Sequence, residues 1–98
     1  MAVGMLLASP GFNEDVYWQL NDVIFGTRSW SAADVPGLIL HSAGPSEGGF
    51  YAYDVWESRE AFEAFMKERL APAFESMTGG PPPAEMQPQF FEIANLVT

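Results

Sequence analysis

The chain has 98 residues, which is enough for one domain and too few for two. Hydrophobic residues make up 48% of it and aromatic residues 14%, so the composition excludes a chain that is disordered throughout. Four Lys and Arg stand against 13 Asp and Glu, and a chain with a formal net charge of −9 lacks the clustered cations that bind nucleic acid or an anionic membrane surface.

The absence of cysteine excludes disulfides, thiolate metal sites and a cysteine nucleophile. The apolar run near the N-terminus has no basic residue before it and is about as long as a strand, which is not typical of a signal peptide. No stretch approaches the ~20 apolar residues of a membrane span. We therefore expect a single cytoplasmic domain that comprises residues 1–98.

The first half of the chain alternates a strand, a helix and a second strand. Residues 3–8 form a short apolar run that predicts the first strand, and a Ser-Pro-Gly turn follows it. Apolar residues at helical spacing predict a helix over residues 14–25, with Asn13 as its N-cap and Gly26 at its end. After a polar connection, residues 37–43 predict the second strand.

A hairpin begins the second half of the chain. Residues 44–49 (Gly-Pro-Ser-Glu-Gly-Gly) predict the turn, and the aromatic run at residues 50–56 predicts the third strand. Ser58 is the expected N-cap of a second helix that keeps helical spacing through to residue 77. Pro72 lies inside that span, so we expect a kink or a break near residue 70.

The last elements complete a symmetrical order. Residues 78–84 are rich in Gly and Pro and predict a non-helical linker, and residues 90–97 predict the fourth strand. The order β-α-β-β-α-β predicts an α+β ferredoxin-like fold, a four-stranded antiparallel sheet with two helices on one face. The other face of such a sheet is bare, and a second copy of the chain is its simplest cover. We therefore expect a homodimer that forms a dimeric α/β barrel.

One junction between a strand and a helix resembles a known family. Residues 54–62 (Asp-Val-Trp-Glu-Ser-Arg-Glu-Ala-Phe) resemble the V-W-x-S-x-x-x-F signature of the dimeric α/β-barrel superfamily, whose best-known branch is the antibiotic-biosynthesis monooxygenase-like proteins. The resemblance implies a pocket between sheet and helices, lined by Trp, Tyr, His and Asn. In that branch the pocket binds electron-rich aromatic compounds and supports their oxidation without metal or flavin.

The haem-degrading branch of the same superfamily uses a histidine of a helix as the axial ligand. The second predicted helix of this chain contains no histidine, so we do not expect haem. A metal site needs several convergent His or acidic ligands, and a chain with one His and scattered acids does not predict one. We therefore expect no cofactor and no metal.

The only histidine, His41, lies in the second predicted strand. If the hairpin loop consists of residues 46–47, His41 lies across from Ala52 and diagonal to Asp54. A shift by one residue instead places His41 opposite Tyr53 and turns the partner side chains to the other face.

His41 and Asp54 are the candidate catalytic pair. Alternation places His41 on the same face as Ile39. Asp54 can orient the imidazole and raise its basicity, as a general base requires. The alternative is a hydrogen-bonded structural histidine or a residue of the dimer interface, and an Asp54 that points to water or to the partner.

Four further residues are candidates for substrate binding, and each has a plainer role as an alternative. Trp56, Tyr53 and Tyr17 can form aromatic walls, or they can simply pack in the core. Asn95 can bind a ligand carbonyl, or it can bond the edge of the sheet. In addition, Arg28 and Trp30, in the connection before the second strand, can close over a pocket, or Arg28 can neutralise nearby acidic residues.

The resemblance and the candidate residues together imply a homodimer with an apolar, aromatic-lined pocket for a small aromatic ligand. It resembles the cofactor-independent monooxygenases or isomerases of aromatic or polyketide-type compounds. The alternative is a small-molecule-binding or structural module without catalysis. Aromatic residues make up 14% of the chain, and their side chains can fill the space between sheet and helices.

Overall fold

The computed structural model describes residues 2–9, 12–47, 49–81 and 87–97. The strands are β1 (Val3–Ser9), β2 (Leu38–Ser46), β3 (Gly49–Trp56) and β4 (Gln89–Glu92), and the helices are α1 (Glu14–Phe25), α2 (Arg59–Phe65) and α3 (Ala71–Thr78). A 3₁₀ turn (Ala32–Asp34) precedes β2, and a π-helical turn (Met66–Leu70) joins α2 to α3. The end of the first predicted turn, residues 10–11, and residues 82–84 of the predicted linker lie outside the described residues.

The four strands form one antiparallel sheet in the order β2-β3-β1-β4. Buried side chains of the helices, such as Leu20, Phe62 and Phe74, pack against the face of the sheet that carries Met5 and Ala52. The predicted α+β ferredoxin-like fold is therefore confirmed. None of the described helices combines the length and the apolar character that crossing a membrane requires.

The predicted helix signals act as expected. The side chain of Asn13 accepts a hydrogen bond from the backbone N–H of Val16 at 2.9 Å, and Ser58 accepts one from Ala61 at 3.2 Å. Each bond satisfies one of the N–H groups that the first turn of a helix leaves without an intrahelical partner. Gly26 ends α1 with a φ of 69°, a left-handed conformation that glycine adopts without strain.

Pro72 does not break the second helical segment. The irregularity takes the form of the π-helical turn between α2 and α3, which ends with a hydrogen bond from the N–H of Ala71 to the carbonyl of Met66. Proline has no N–H and its ring crowds the preceding turn, so a locally wider turn accommodates it. The kink or break predicted near Leu70 is thus present as this π-helical turn, which ends at Leu70.

Two strand ends differ from the predictions by more than one residue. β2 continues to Ser46, into the stretch predicted to be the hairpin turn. β4 ends at Glu92 instead of continuing to residue 97 because Glu92 already pairs with Val3, the first residue of β1. Among the described residues, one further backbone hydrogen bond follows, from the N–H of Ile93 to the carbonyl of Ala2.

The sheet face that points away from the helices carries aromatic and aliphatic side chains. The ring of Tyr53 lies over Gly4, and the ring of Tyr51 lies over Gly44, where a side chain on either glycine would meet the tyrosine. Leu40 and Phe91 are 40% and 47% exposed. We call this face, with Leu6, Leu40, Tyr51, Tyr53 and Phe91, the outer sheet face.

Candidate functional site

His41 and Asp54 lie directly opposite each other on β2 and β3. Asp54 Oδ1 is 2.5 Å from His41 Nδ1, and the carboxylate is buried. The hairpin loop lies one residue later than expected, so Ser46 pairs with Gly49 and the partner of His41 is Asp54, not Ala52. Because the difference in pairing is two residues, both side chains stay on the face that was predicted.

A β-bulge in β2 changes which neighbours share that face. Leu38 pairs with Trp56 and Leu40 with Val55, so Ile39 is the extra residue between them. Leu38 and His41 therefore face the helices together although they are three residues apart. The predicted alternation with Ile39 on the face of His41 is wrong for this reason.

Tyr17 of α1 completes a hydrogen-bonded series with this pair. Its hydroxyl oxygen is 2.6 Å from His41 Nε2, and the two rings are almost parallel with centroids 5.9 Å apart. Both nitrogens of His41 thus have a partner in the protein. The Tyr17 hydroxyl therefore offers a path by which a ligand proton can reach His41. We call Tyr17, His41 and Asp54 the relay.

The direction of the hydrogen bonds follows from the chemistry of the three groups. An ionised Asp54 can only accept, so it takes the Nδ1–H of a neutral His41 and leaves the Nε2 lone pair for the Tyr17 hydroxyl. Burial raises the pKa of Tyr17 above its ordinary value of 10.0 and is the largest effect. The Asn21 side chain lowers this pKa, and the negative charge of Asp54 raises it further. Tyr17 therefore keeps its proton at neutral pH, and its oxygen can still accept a hydrogen bond from a ligand.

Asn21 holds a second aromatic side chain beside the relay. Its side-chain N–H donates to the carbonyl of Tyr17 at 2.8 Å, and its oxygen accepts from the indole N–H of Trp30 at 2.5 Å. Trp30 also stacks on Phe25, with ring centroids 4.3 Å apart, and its ring centroid is 4.9 Å from that of His41. The sequence analysis did not select Asn21. A polar residue among the apolar positions of α1, four residues after Tyr17, was the available signal.

A cavity of about 90 Å³ lies between the sheet and the helices. We call it the inner cavity, and most of its walls are apolar. Aliphatic and aromatic side chains such as Leu7, Phe12, Phe62 and Phe74 line it together with the relay and Trp56. Trp56 is 1% exposed, and its indole N–H has no hydrogen-bond acceptor among the described residues.

A larger and more open depression lies on the other side of the same residues. This outer cleft has a volume of about 450 Å³, within the range of about 300–1,000 Å³ that is usual for small-molecule sites. Tyr17, Trp30 and His41 line both spaces, so these three residues form the wall between them. The other residues of the outer cleft are Trp18, Arg28, Ser31, Ala32, Ile39 and Leu40.

Four of the six predicted site residues meet at these two spaces, and two do not. Tyr17, His41, Asp54 and Trp56 line the inner cavity. Tyr53 lies on the outer sheet face, because it is next to Asp54 on a regular strand and adjacent side chains point to opposite faces. Asn95 follows β4 in an exposed segment. The predicted positions of Tyr53 and Asn95 in the pocket are therefore wrong.

A metal site is not apparent in the part of the chain that the structure describes. No group of three or more His, Asp or Glu side chains converges among those residues. The relay itself offers one imidazole whose two nitrogens already have partners.

Comparisons with known proteins agree on the fold. No family model and no curated protein matches the chain. It is similar to a point mutant of SnoaB, a cofactor-independent oxygenase from Streptomyces nogalater, with a TM-score of 0.58 and 14% identity over 98% of this chain and 96% of that one. It is also similar to a Deinococcus radiodurans protein with the provisional name antibiotic biosynthesis monooxygenase, with a TM-score of 0.57 and 11% identity over 100% and 97% of the two chains.

At such identities the likeness concerns the fold alone. It nevertheless agrees with the fold that the resemblance of residues 54–62 implies. Activity has to be argued from the relay and the two spaces beside it.

Proposed function

We propose that the protein binds a small phenolic or enolisable aromatic compound in the outer cleft and accepts its proton through the relay. The observation that carries the proposal is the position of Tyr17 and His41 in the wall between a ligand-sized cleft and an apolar cavity. The rings of Trp18 and Trp30 provide flat apolar surfaces for an aromatic ligand. We also propose that the protein is cytoplasmic, as the sequence predicts.

Proton transfer follows the hydrogen bonds of the relay. The ligand hydroxyl or activated C–H gives its proton to the Tyr17 oxygen while the Tyr17 proton moves to His41 Nε2, which is 2.6 Å away. The imidazolium that forms lies against the Asp54 carboxylate, so the new positive charge is stabilised where it develops. A ligand anion is thus produced beside an apolar space.

An electron-rich anion of this kind is itself a reductant for dioxygen. An activated CH₂ group that reacts with O₂ becomes a carbonyl group, and the second oxygen atom leaves as water, so atoms and electrons balance without another reductant. The cofactor-independent oxygenase with a similar fold supports this reaction class. We therefore propose a cofactor-independent monooxygenase, with a non-catalytic small-molecule-binding module as the alternative.

Tyr17→Phe removes one hydroxyl and keeps the ring, so it tests the relay directly. We expect oxygen uptake with a dihydroxyanthracene-type compound to fall about 100-fold, because general acid–base groups contribute about that much to rates. The ligand should still bind, as followed by quenching of tryptophan fluorescence. Tyr51→Phe makes the same change on the outer sheet face and should leave the rate unchanged.

The same assay decides between the two candidate functions. Binding without oxygen uptake by the wild type would favour the non-catalytic module. Equal rates for the wild type, Tyr17→Phe and His41→Ala, with all three variants shown to be folded, would remove the relay from the mechanism.

We further propose that two copies associate through the outer sheet face. That face carries the exposed Phe91, and helices cover only the opposite face. Burial of Phe91, Leu40 and the two tyrosine rings between identical subunits would remove this apolar surface from water.

Phe91→Glu should convert the proposed dimer to a monomer at micromolar concentration, because it places a charge within an apolar contact. Val23→Glu is the matched control. Val23 is 48% exposed, nearly the same as Phe91, but it lies on α1. Sedimentation velocity measures the oligomeric state of the wild type and of both variants. A monomeric wild type would contradict the proposed dimer.

A further inference from the structure

The inner cavity is too small for the aromatic part of a ligand. An engineered protein cavity of about 150 Å³ holds one benzene ring, and the inner cavity has about 90 Å³. Its polar groups are largely occupied, since both nitrogens of His41 and both ends of the Asn21 amide already have partners. A small apolar molecule fits such a space better than water does.

The position of the inner cavity matters as much as its size. Among the described residues, Tyr17, His41 and Trp30 are the ones that the inner cavity shares with the outer cleft. A molecule held in the inner cavity is therefore next to the point at which an organic ligand in the outer cleft loses its proton.

We propose that the inner cavity is the binding site for dioxygen. This inference rests on the proposed function, in which dioxygen is the second substrate. The ligand anion transfers one electron to O₂, which yields a ligand radical and superoxide. Radical and superoxide then combine to form the carbon–oxygen bond of a peroxide anion. This anion takes back the proton held by the relay and loses water, which leaves the carbonyl group.

Trp56 lines the inner cavity and carries a buried indole N–H. Its buried N–H lacks an acceptor among the described residues, and neutral O₂ is a poor acceptor. Superoxide carries a full negative charge and accepts hydrogen bonds strongly, so a donor already in place favours the reduced form over the neutral one.

Xenon is the probe, because it is an apolar atom that enters such cavities. Under xenon pressure the methyl resonances of cavity residues, such as those of Leu7 and Ala52, should shift in a saturable way. Ala52→Val adds volume inside the cavity and should abolish the shift. It should also raise KM for O₂ about ten-fold while KM for the organic ligand stays unchanged.

Ala43→Val is the matched control. Ala43 pairs directly with Ala52 across the β2–β3 ladder, but it does not line the inner cavity. It should retain both the xenon shift and the wild-type KM for O₂. Denaturation curves of the two variants show whether either substitution disturbs the fold.

The outcomes separate this inference from the proposed function. Oxygen uptake that persists in Ala52→Val with an unchanged KM for O₂ would overturn the dioxygen site and leave the oxygenase intact. Absence of any xenon shift in the wild type would also overturn it. Xenon binding without oxygen uptake would support the apolar gas site and remove the oxygenase.

Discussion

Replacing Gly37 with alanine will lower the free energy of unfolding by about 3 kcal/mol or more, the sum of a backbone and a steric effect. Gly37 has a φ of 83°, as the third residue of a turn closed by a hydrogen bond from Leu38 to Val35. With Pro36 at the second position, this is the pattern of a type II turn, in which glycine is favoured. A Cβ on Gly37 would also lie 2.5 Å from the Cβ of Ala61 in α2.

Gly79→Ala separates the two effects. Gly79 has a φ of 78°, but no atom lies within 4 Å of the position of its Cβ. Gly79→Ala should therefore lower the free energy of unfolding only by the backbone part, about 1 kcal/mol, as measured by urea denaturation followed by circular dichroism. Equal losses at Gly37 and Gly79 would contradict the close contact. Ala61→Gly in the Gly37→Ala background should recover part of the loss by removing the clash.

Much of the fold could be predicted because its signals are local. Alternation, helical spacing and the caps at Asn13, Gly26 and Ser58 each depend on a few neighbouring residues. The pairing of β2 with β3 depends instead on which residues form the hairpin loop, and the sequence Pro-Ser-Glu-Gly-Gly allows more than one loop. The end of β4 depends on where its partner strand begins, which is a tertiary property.

Part of the candidate site could likewise be predicted from the sequence, and part of it could not. His41 and Asp54 could be selected because an ionisable residue in an apolar strand is conspicuous. The contact of Tyr17 with His41 could not be predicted, since it depends on how α1 crosses the sheet. The small size of the inner cavity could not be predicted either, because it results from the packing of many large side chains.

The pair of His41 and Asp54 should show strong coupling in a double-mutant cycle. Removing one partner leaves the other buried without compensation, and we expect each of His41→Leu and Asp54→Leu to lower the free energy of unfolding by about 3 kcal/mol. The double variant replaces both groups with apolar side chains that suit the surrounding cavity. It should be more stable than either single variant.

The exposed pair Arg59 and Glu63 is the control for this cycle. Arg59 Nε lies 3.3 Å from Glu63 Oε1, and the two residues are four positions apart on α2. Both side chains are about 60% exposed, so their coupling energy should be only about 0.3–0.5 kcal/mol. Additive losses for His41 and Asp54 would contradict the buried hydrogen bond at 2.5 Å.

A stable double variant also bears on why the chain keeps this pair. If two leucines hold the fold at least as well as His41 and Asp54, then stability does not require an ionisable pair between β2 and β3. Loss of oxygen uptake in the same folded variant, with ligand binding retained, would assign the pair to proton transfer. Full oxygen uptake in the double variant would instead exclude a chemical role for both residues and leave Tyr17 without a partner to receive its proton.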